Sequence, residues 1–143
     1  MSQENIEVLK AIWPLEADLV AMFENPELPA QLAAAIDPDV EVAFSSSAPG
    51  TPDLTYRGIA GLAQGWLDWL EPYESYRLTV EDVIDAGGDR VLAPSRVVAR
   101  TRRDGVLIEH SPAAIFTIRD GKLVKASFHL DRLQAFEAAG LRE

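Results

Sequence analysis

One stretch decides the fold: FTIRDGKLVKASFHL, residues 116–130. Its centre, Asp120-Gly121, is typical of a tight hairpin turn, and the runs on both sides are rich in β-branched and aromatic residues. The stretch therefore predicts two antiparallel strands joined by a short loop. Further turns at Gly87-Gly88-Asp89 and Arg103-Asp104-Gly105 extend the pattern towards the N-terminus. The sequence thus predicts an antiparallel meander of four strands, at residues 76–85, 90–102, 105–119 and 122–130.

The chain before this meander is predicted to be mainly helical. Apolar residues keep helical spacing from Ile6 to Phe23, and Pro14 interrupts them, so we expect a kink or a fresh helix start there. The other predicted elements are a short helix at 29–36, a strand at 40–44, a loop at 45–53, a helix at 59–70 and a closing helix at 132–139, capped by Asp131 and Gly140. Helices followed by a meander indicate an α+β domain with the helices on one face of the sheet. Because the strands are long, the sheet is expected to curl into a cone and leave an apolar pocket.

The composition is that of one globular domain, predicted to span residues 1–143. Hydrophobic residues make up 48% of the chain and charged residues 25%, an ordinary balance for a folded protein. The net charge of −10 repels phosphates and anionic lipid, so neither nucleic acid nor a membrane is expected as a partner. Cysteine is absent, which excludes disulfides and thiolate chemistry. No signal peptide or spanning segment is visible, and a cytoplasmic location is expected.

Several motifs together resemble a known family. They lie at residues 56–61, 83–91, 116–123 and 131–141, and their order and spacing resemble the SnoaL-like family of the nuclear transport factor 2-like superfamily. The resemblance implies a cone-shaped fold in which a curved antiparallel sheet packs on N-terminal helices. The superfamily includes ketosteroid isomerases, polyketide cyclases, epoxide hydrolases and dehydratases, so the resemblance does not select one activity. Its members often dimerise through the outer face of the sheet, which implies a homodimer here.

Two positions at which enzymes of the superfamily carry a catalytic carboxylate are aromatic in this chain. In cyclase- and hydrolase-type relatives an acidic residue lies on the last strand, and counting from Gly121 reaches Phe128. In the isomerases a carboxylate follows the first strand, and alignment through residues 37–40 places Phe44 there. A phenylalanine cannot transfer a proton. The comparison therefore disfavours those two mechanisms.

One histidine and one arginine are the remaining candidates for acid–base chemistry. If Phe116 faces the pocket, strand alternation also points His110 inward, and an imidazole titrates near neutral pH. His110 could equally be a structural histidine that is hydrogen-bonded at the margin of the sheet. Arg96 interrupts an apolar strand, where a guanidinium could bind a carboxylate or enolate oxygen of a substrate. Arg96 could equally face solvent or pair with Glu109 on the neighbouring strand. Both readings of Arg96 remain open from the sequence.

The pocket is predicted to be aromatic. Its predicted lining residues are Trp13, Phe44, Tyr56, Trp66, Phe116 and Phe128. Trp66 and Trp69 lie on neighbouring rows of one helix, so one of them is expected near the pocket mouth or a subunit interface. His129 is expected to point away from the pocket if Phe128 points into it. With two histidines and no cysteine, neither a metal site nor a cofactor is expected.

Two hypotheses about function follow. In the first, the pocket binds a small apolar molecule and supports a cofactor-independent proton transfer, such as isomerisation, cyclisation or dehydration. His110 would be the base and Arg96 the partner of the developing oxyanion. In the second, the chain is a non-catalytic dimeric protein with a ligand-binding or accessory role. Phenylalanine at positions 44 and 128 favours the second hypothesis over the familiar enzymes.

Overall fold

The computed structural model of this protein describes residues 2–45 and 53–141, so the predicted loop at 45–53 lies, apart from its two end residues, outside the described part. Its strands are β1 Glu16–Asp18, β2 Ile36–Ser45, β3 Leu54–Arg57, β4 Tyr73–Val80, β5 Ile84–Asp85, β6 Arg90–Thr101, β7 Leu107–His110, β8 Ala113–Arg119 and β9 Lys122–His129. They form one curved, open sheet in the order β1-β4-β6-β8-β9-β2-β3, and β5 and β7 also pair with β6. The predicted α+β class is confirmed.

The helices of the described residues are α1 Ser2–Ile12, α2 Leu19–Glu24, α3 Leu28–Leu32, α4 Gly58–Leu70 and α5 Arg132–Ala138. Pro14 lies between α1 and α2, so the predicted interruption is confirmed, and β1 occupies part of the gap. Asp18 caps α2 by accepting a hydrogen bond from the backbone N–H of Val20. Asp131 caps α5 as predicted, because its Oδ1 accepts from the backbone N–H of Leu133 at 2.9 Å. None of the described helices is long and apolar enough to cross a membrane.

The hairpin of β8 and β9 has the predicted form. Asp120 and Gly121 join the two strands with φ angles of 52° and 75°. Positive φ at both central residues is typical of a type I′ turn, the turn that matches the twist of paired strands. The register shifts once near the turn, so Leu123 is 2% exposed while Val124 is only partly buried. Strict alternation along β9 would bury Val124 and expose Leu123. The shift in register reverses this, so that Leu123 is the buried residue.

The third predicted strand, residues 105–119, is two strands in the structure. Ser111 and Pro112 separate β7 from β8. Pro112 has no backbone N–H and therefore cannot donate a hydrogen bond to a neighbouring strand. A proline does not by itself end a strand in this sheet, since Pro94 lies within β6. Both strands pair with β6, β8 along its first half and β7 along its second half. The break leaves His110 at the end of β7, opposite Val97 of β6.

The first long strand differs from its prediction in length and in partner. β2 exceeds the predicted 40–44 at both ends and runs parallel to β9. The predicted helix at 29–36 is correspondingly shorter, because Ile36 is already a strand residue and only 1% exposed. The sheet is therefore not a pure antiparallel meander. The short strands β1 and β3 had not been predicted.

The two faces of the sheet bury separate hydrophobic clusters. Residues of α1 to α4 pack on one side, here called the inner face. Along β6, Val91 and Ala93 belong to the inner cluster, whereas Leu92 between them packs in a second cluster with Ala135 and Phe136 of α5. The expectation that all helices share one face is therefore wrong for α5, which covers part of the outer face.

Candidate ligand-binding site

Four large aromatic rings from distant parts of the chain meet on the inner face. Phe44 comes from β2, Phe128 from β9, Trp66 from α4 and Trp13 from the segment after α1. The ring centroid of Phe128 lies 4.8 Å from Trp66, 5.1 Å from Phe44 and 5.6 Å from Trp13. Phe44 and Phe128 are direct partners in the parallel pairing of β2 and β9, so the backbone register brings them together.

A small cavity borders this aromatic cluster. The volume open to the centre of a water molecule is about 30 Å³, which is room for one or two waters. Its walls are apolar side chains and aromatic rings, interrupted by Tyr76, Ser95 and His129. Side chains therefore fill most of the cone in this structure. A ligand of more than a few atoms must displace some of them.

Tyr76 of β4 supplies a hydroxyl group that connects the cavity with His110. Only 2% of Tyr76 is exposed. The indole Nε1–H of Trp69 donates to Tyr76 Oη at 3.2 Å, and His110 Nε2 lies 3.1 Å from the same oxygen. Because an indole can only donate, the tyrosine proton remains available for donation to a neutral His110 Nε2. β4 and β7 flank β6, so the sheet itself brings the two residues together.

Burial keeps this pair in its uncharged form. It raises the pKa of Tyr76 well above the ordinary value of 10.0, because a phenolate would lose its hydration inside the protein. Burial also lowers the pKa of His110 below the ordinary value of 6.5. At neutral pH the imidazole is therefore mainly neutral and the phenol is protonated. This is the state in which the Tyr76 hydroxyl can donate to His110.

Two further polar side chains border the cavity. Trp66 is 3% exposed, and its Nε1–H is buried without a hydrogen-bond partner among the described residues. Ser95 is 4% exposed, and its hydroxyl is 3.4 Å from the carbonyl oxygen of Ala93, a long and therefore weak hydrogen bond. Both residues line the cavity, and neither side chain has a short hydrogen bond to another described residue.

The structure brings most of the predicted aromatic residues to this cavity. The ones that border it are Trp13, Phe44, Trp66 and Phe128. Phe116 lies deeper in the core, where it is 1% exposed and packs against two of these rings. Tyr56 packs edge-on behind Phe44, and its hydroxyl donates to Asp68 at the surface. Phe116 and Tyr56 therefore support the wall without reaching the cavity.

Arg96 lies on the outer face of the sheet, away from the cavity. Its Nη2 donates to Glu109 Oε1 at 2.7 Å, and the two side chains are 60% and 59% exposed. This is the pairing that the sequence left open as an alternative. The orientation follows from strand alternation, since the neighbours Ser95 and Val97 both face inward. In this position Arg96 does not meet an oxyanion in the cavity.

His129 lies at one end of the cavity. It is the register partner of Ala113, whose side chain belongs to the outer cluster. His129 therefore lies on the outer side of β9, opposite to Phe128, as predicted. It nevertheless borders the cavity, and both of its ring nitrogens are buried without a hydrogen-bond partner among the described residues. The described ranges contain no group of three or more acidic or histidine side chains that could hold a metal ion.

Tyr76 and Ser95 were not among the predicted site residues. A signal for Tyr76 was present in the sequence, because Tyr76 and Leu78 alternate with polar residues along β4. Ser95 gave no such signal, since serine is more often exposed than buried. Trp69 was expected at the pocket mouth as an alternative to Trp66, and both tryptophans border the cavity.

Comparison with known proteins identifies relatives of this fold. A family model of the SnoaL-like domain matches residues 17–126, whereas no curated protein matches the sequence. A protein assigned as a SnoaL-like polyketide cyclase from Jannaschia sp. CCS1 is 15% identical with a TM-score of 0.71, over 99% of this chain and 95% of that one. TerC, co-crystallised with polyporic acid, is 21% identical with a TM-score of 0.67, over 96% of this chain and 98% of that one.

A third relative also holds a ligand. It is a protein with a ketosteroid isomerase-like fold from Catenulispora acidiphila DSM 44928, in complex with trimethylamine, 14% identical with a TM-score of 0.60, over 94% of this chain and 93% of that one. At these identities the solved structures share only the fold with this chain. The family model, in contrast, matches most of the sequence. The chain therefore belongs to the SnoaL-like domain family.

Proposed function

We propose that this chain binds a small, mainly apolar molecule in the cavity and that His110, acting through Tyr76, exchanges a proton with it. The observation that carries the proposal is Tyr76, which is buried, borders the apolar cavity and holds its hydroxyl 3.1 Å from His110 Nε2. The reaction class is an isomerisation, cyclisation or dehydration that needs no cofactor. His110 does not border the cavity, so in this proposal it acts on the ligand only through Tyr76, and Arg96 has no role.

The arrangement suits a reversible proton relay. When the Tyr76 oxygen takes a proton from a C–H or O–H bond of the ligand, its own proton moves to His110 Nε2 and forms an imidazolium. The reverse movement returns a proton to another atom of the ligand and restores the neutral pair. The relay avoids a free phenolate, which burial makes unfavourable. The neutral imidazole required at the start is the form that burial favours.

A non-catalytic ligand-binding role is the second candidate. Its support is the phenylalanine pair Phe44 and Phe128, which occupies the positions expected for catalytic carboxylates in the enzymes of the superfamily. Small-molecule binding itself has parallels among the relatives, since TerC was co-crystallised with polyporic acid and the Catenulispora protein binds trimethylamine. The two candidates share the cavity and differ only in whether the relay acts on the ligand.

Proton exchange in heavy water separates the two candidates. A panel of small enolisable ketones is first screened by thermal shift, where a ligand at a hundredfold excess over its Kd adds about 2.7 kcal/mol of stability. Ketones that bind are then incubated with the protein in D₂O, and NMR follows the replacement of their α-protons by deuterium. The relay predicts catalysed exchange that is lost in His110→Ala and Tyr76→Phe and kept in Arg119→Gln, a surface control paired with Asp89.

Exchange at the same rate in wild type and His110→Ala would exclude the relay. Binding without any catalysed exchange would support the non-catalytic candidate. A set of ketones that neither binds nor exchanges would contradict the use of the cavity for such ligands.

Three broader expectations remain proposals. We propose that residues 1–143 form one domain, that two copies pair through the outer face of the sheet, and that the protein acts in the cytoplasm. The pairing is supported by the superfamily resemblance and by apolar side chains on the surface of the β6–β7 hairpin, where Val106 and Leu107 are 51% and 59% exposed. Sedimentation equilibrium measures the oligomeric state, and a monomer at micromolar concentration would contradict the pairing.

A further inference from the structure

Trp66 holds a hydrogen-bond donor that the fold does not use. The residue is 3% exposed, and its Nε1–H has no hydrogen-bond partner among the described residues. A buried donor without an acceptor is unfavourable, and most such groups in folded proteins are paired with protein atoms or ordered water. The unused N–H therefore indicates that something else accepts this hydrogen bond.

The surroundings of Trp66 limit where that acceptor can lie. The rings of Trp13, Phe23, Phe44 and Phe128 pack around the indole at centroid distances of 4.8–5.7 Å, and none of them offers an acceptor oxygen. The hydroxyl of Tyr76, whose ring centroid is 6.2 Å away, is already bonded to Trp69 and His110. The cavity that Trp66 borders is the open space next to this residue, and because Nε1 itself is covered there, an acceptor reaches the N–H only when a neighbouring side chain moves.

The chemistry of the cavity also limits the charge of its ligand. The indole N–H of Trp66 is a donor only, so it favours an oxygen acceptor over an ammonium group, which has no lone pair to offer. Among the described residues, no lysine, arginine, aspartate or glutamate borders the cavity, and the chain carries a net charge of −10. His129 is the cavity residue that could become a cation, so an anionic ligand would lose its hydration with no permanently charged partner.

We propose that Trp66 Nε1–H is a binding donor of the site, and that the ligand is an uncharged, mainly apolar molecule whose carbonyl oxygen accepts from Trp66. This inference rests on the proposed binding function and adds the ligand class to it. Trp66 thereby selects ketones over hydrocarbons of the same shape.

The test compares two probes of nearly identical shape, cyclohexanone and methylenecyclohexane, on the ¹⁵N-labelled full chain. The chain has three tryptophans, so the indole region of the NMR spectrum is simple to assign. We expect cyclohexanone to move the Trp66 indole proton downfield and methylenecyclohexane not to do so. In Trp66→Phe, the ratio of the ketone affinity to the hydrocarbon affinity should fall about 2- to 10-fold, the range of one hydrogen bond.

The outcomes separate this inference from the proposal on which it rests. If cyclohexanone binds but leaves the Trp66 indole signal unmoved, or if the affinity ratio is the same in Trp66→Phe, the inference is wrong and binding stands. If neither probe binds, both proposals fail for this ligand class. Tighter binding of tetramethylammonium than of cyclohexanone would overturn the uncharged class. Should Trp66→Phe not fold, the wild-type indole signal decides alone.

Discussion

Replacing Tyr76 by phenylalanine tests the contact on which the proton relay depends. Tyr76→Phe keeps the ring and its packing but removes the oxygen that accepts from Trp69 at 3.2 Å and lies 3.1 Å from His110 Nε2. A hydrogen bond contributes about 0.5–1.5 kcal/mol net, so the loss of two should lower the free energy of unfolding by about 2 kcal/mol. For a chain of 143 residues the unfolding entropy is about 0.3 kcal/mol/K, which makes the expected fall in Tm about 7 °C.

A double-mutant cycle in urea isolates the tyrosine–histidine part of this loss. The cycle compares wild type, Tyr76→Phe, His110→Ala and the double variant, and we expect a coupling energy of about 1 kcal/mol. Tyr56→Phe is a matched control, because it removes a hydroxyl that bonds Asp68 at 3.0 Å on the surface. The control should cost less than about 0.5 kcal/mol, since water replaces the lost partner.

Two results would refute the reasoning. The first is a loss of unfolding free energy in Tyr76→Phe that is no larger than the loss in Tyr56→Phe. It would mean that water reaches the Tyr76 hydroxyl as readily as the surface hydroxyl of Tyr56. Single substitutions at Tyr76 and His110 that add within about 0.3 kcal/mol would show that the two side chains do not interact in solution. Either result would remove the structural basis of the relay.

Two further predictions concern packing and pH. A Cβ at Gly65 would lie 2.7 Å from Phe44 Cε1, so Gly65→Ala should lower the free energy of unfolding in urea by about 1–3 kcal/mol. Gly61→Ala on the same helix, with its nearest contact at 3.3 Å, should cost clearly less, and equal losses would contradict the tight packing. Burial lowers the pKa of His110 in the folded protein, so between that pKa and 6.5 the unfolded chain binds more protons than the folded chain does. The free energy of unfolding should therefore fall as the pH drops from 6.5 through the folded-state pKa of His110. His110→Ala should weaken this decline, and pH–stability curves of identical slope would show that His110 titrates normally.

Local parts of the fold could be predicted because their causes are local. Asp120 and Gly121 adopt the positive φ angles that their side chains permit, and Asp131 caps the helix that begins beside it. The break at Pro112 was not predicted, and its proline alone does not explain it, because Pro94 lies within the unbroken strand β6. The parallel pairing of β2 with β9 could not be predicted, because the pattern of either strand does not specify its neighbour.

The site was predictable in its character and less so in its polar groups. Aromatic residues such as Phe44 and Trp66 can be assigned to a core from their type and spacing, and both border the cavity. The sequence allowed Arg96 to face either the pocket or the solvent. Strand alternation shows that Arg96 and Ser95 point to opposite faces, but it does not say which face is the inner one. The importance of Tyr76 depends on its partners, and both of them come from other elements, α4 and β7.

The stretch at residues 116–130 was by itself enough to predict a hairpin. The sequence around it was enough to predict the α+β class, the family and an aromatic interior. Turn residues and apolar periodicity act on neighbours in the chain, so their consequences can be read from the sequence. Only the tertiary structure decided that Tyr76 meets His110 across β6 and that the cavity has room for little more than water. Both depend on strand order, register and close packing, which are settled by the whole chain when the sheet curls and its inner face is covered.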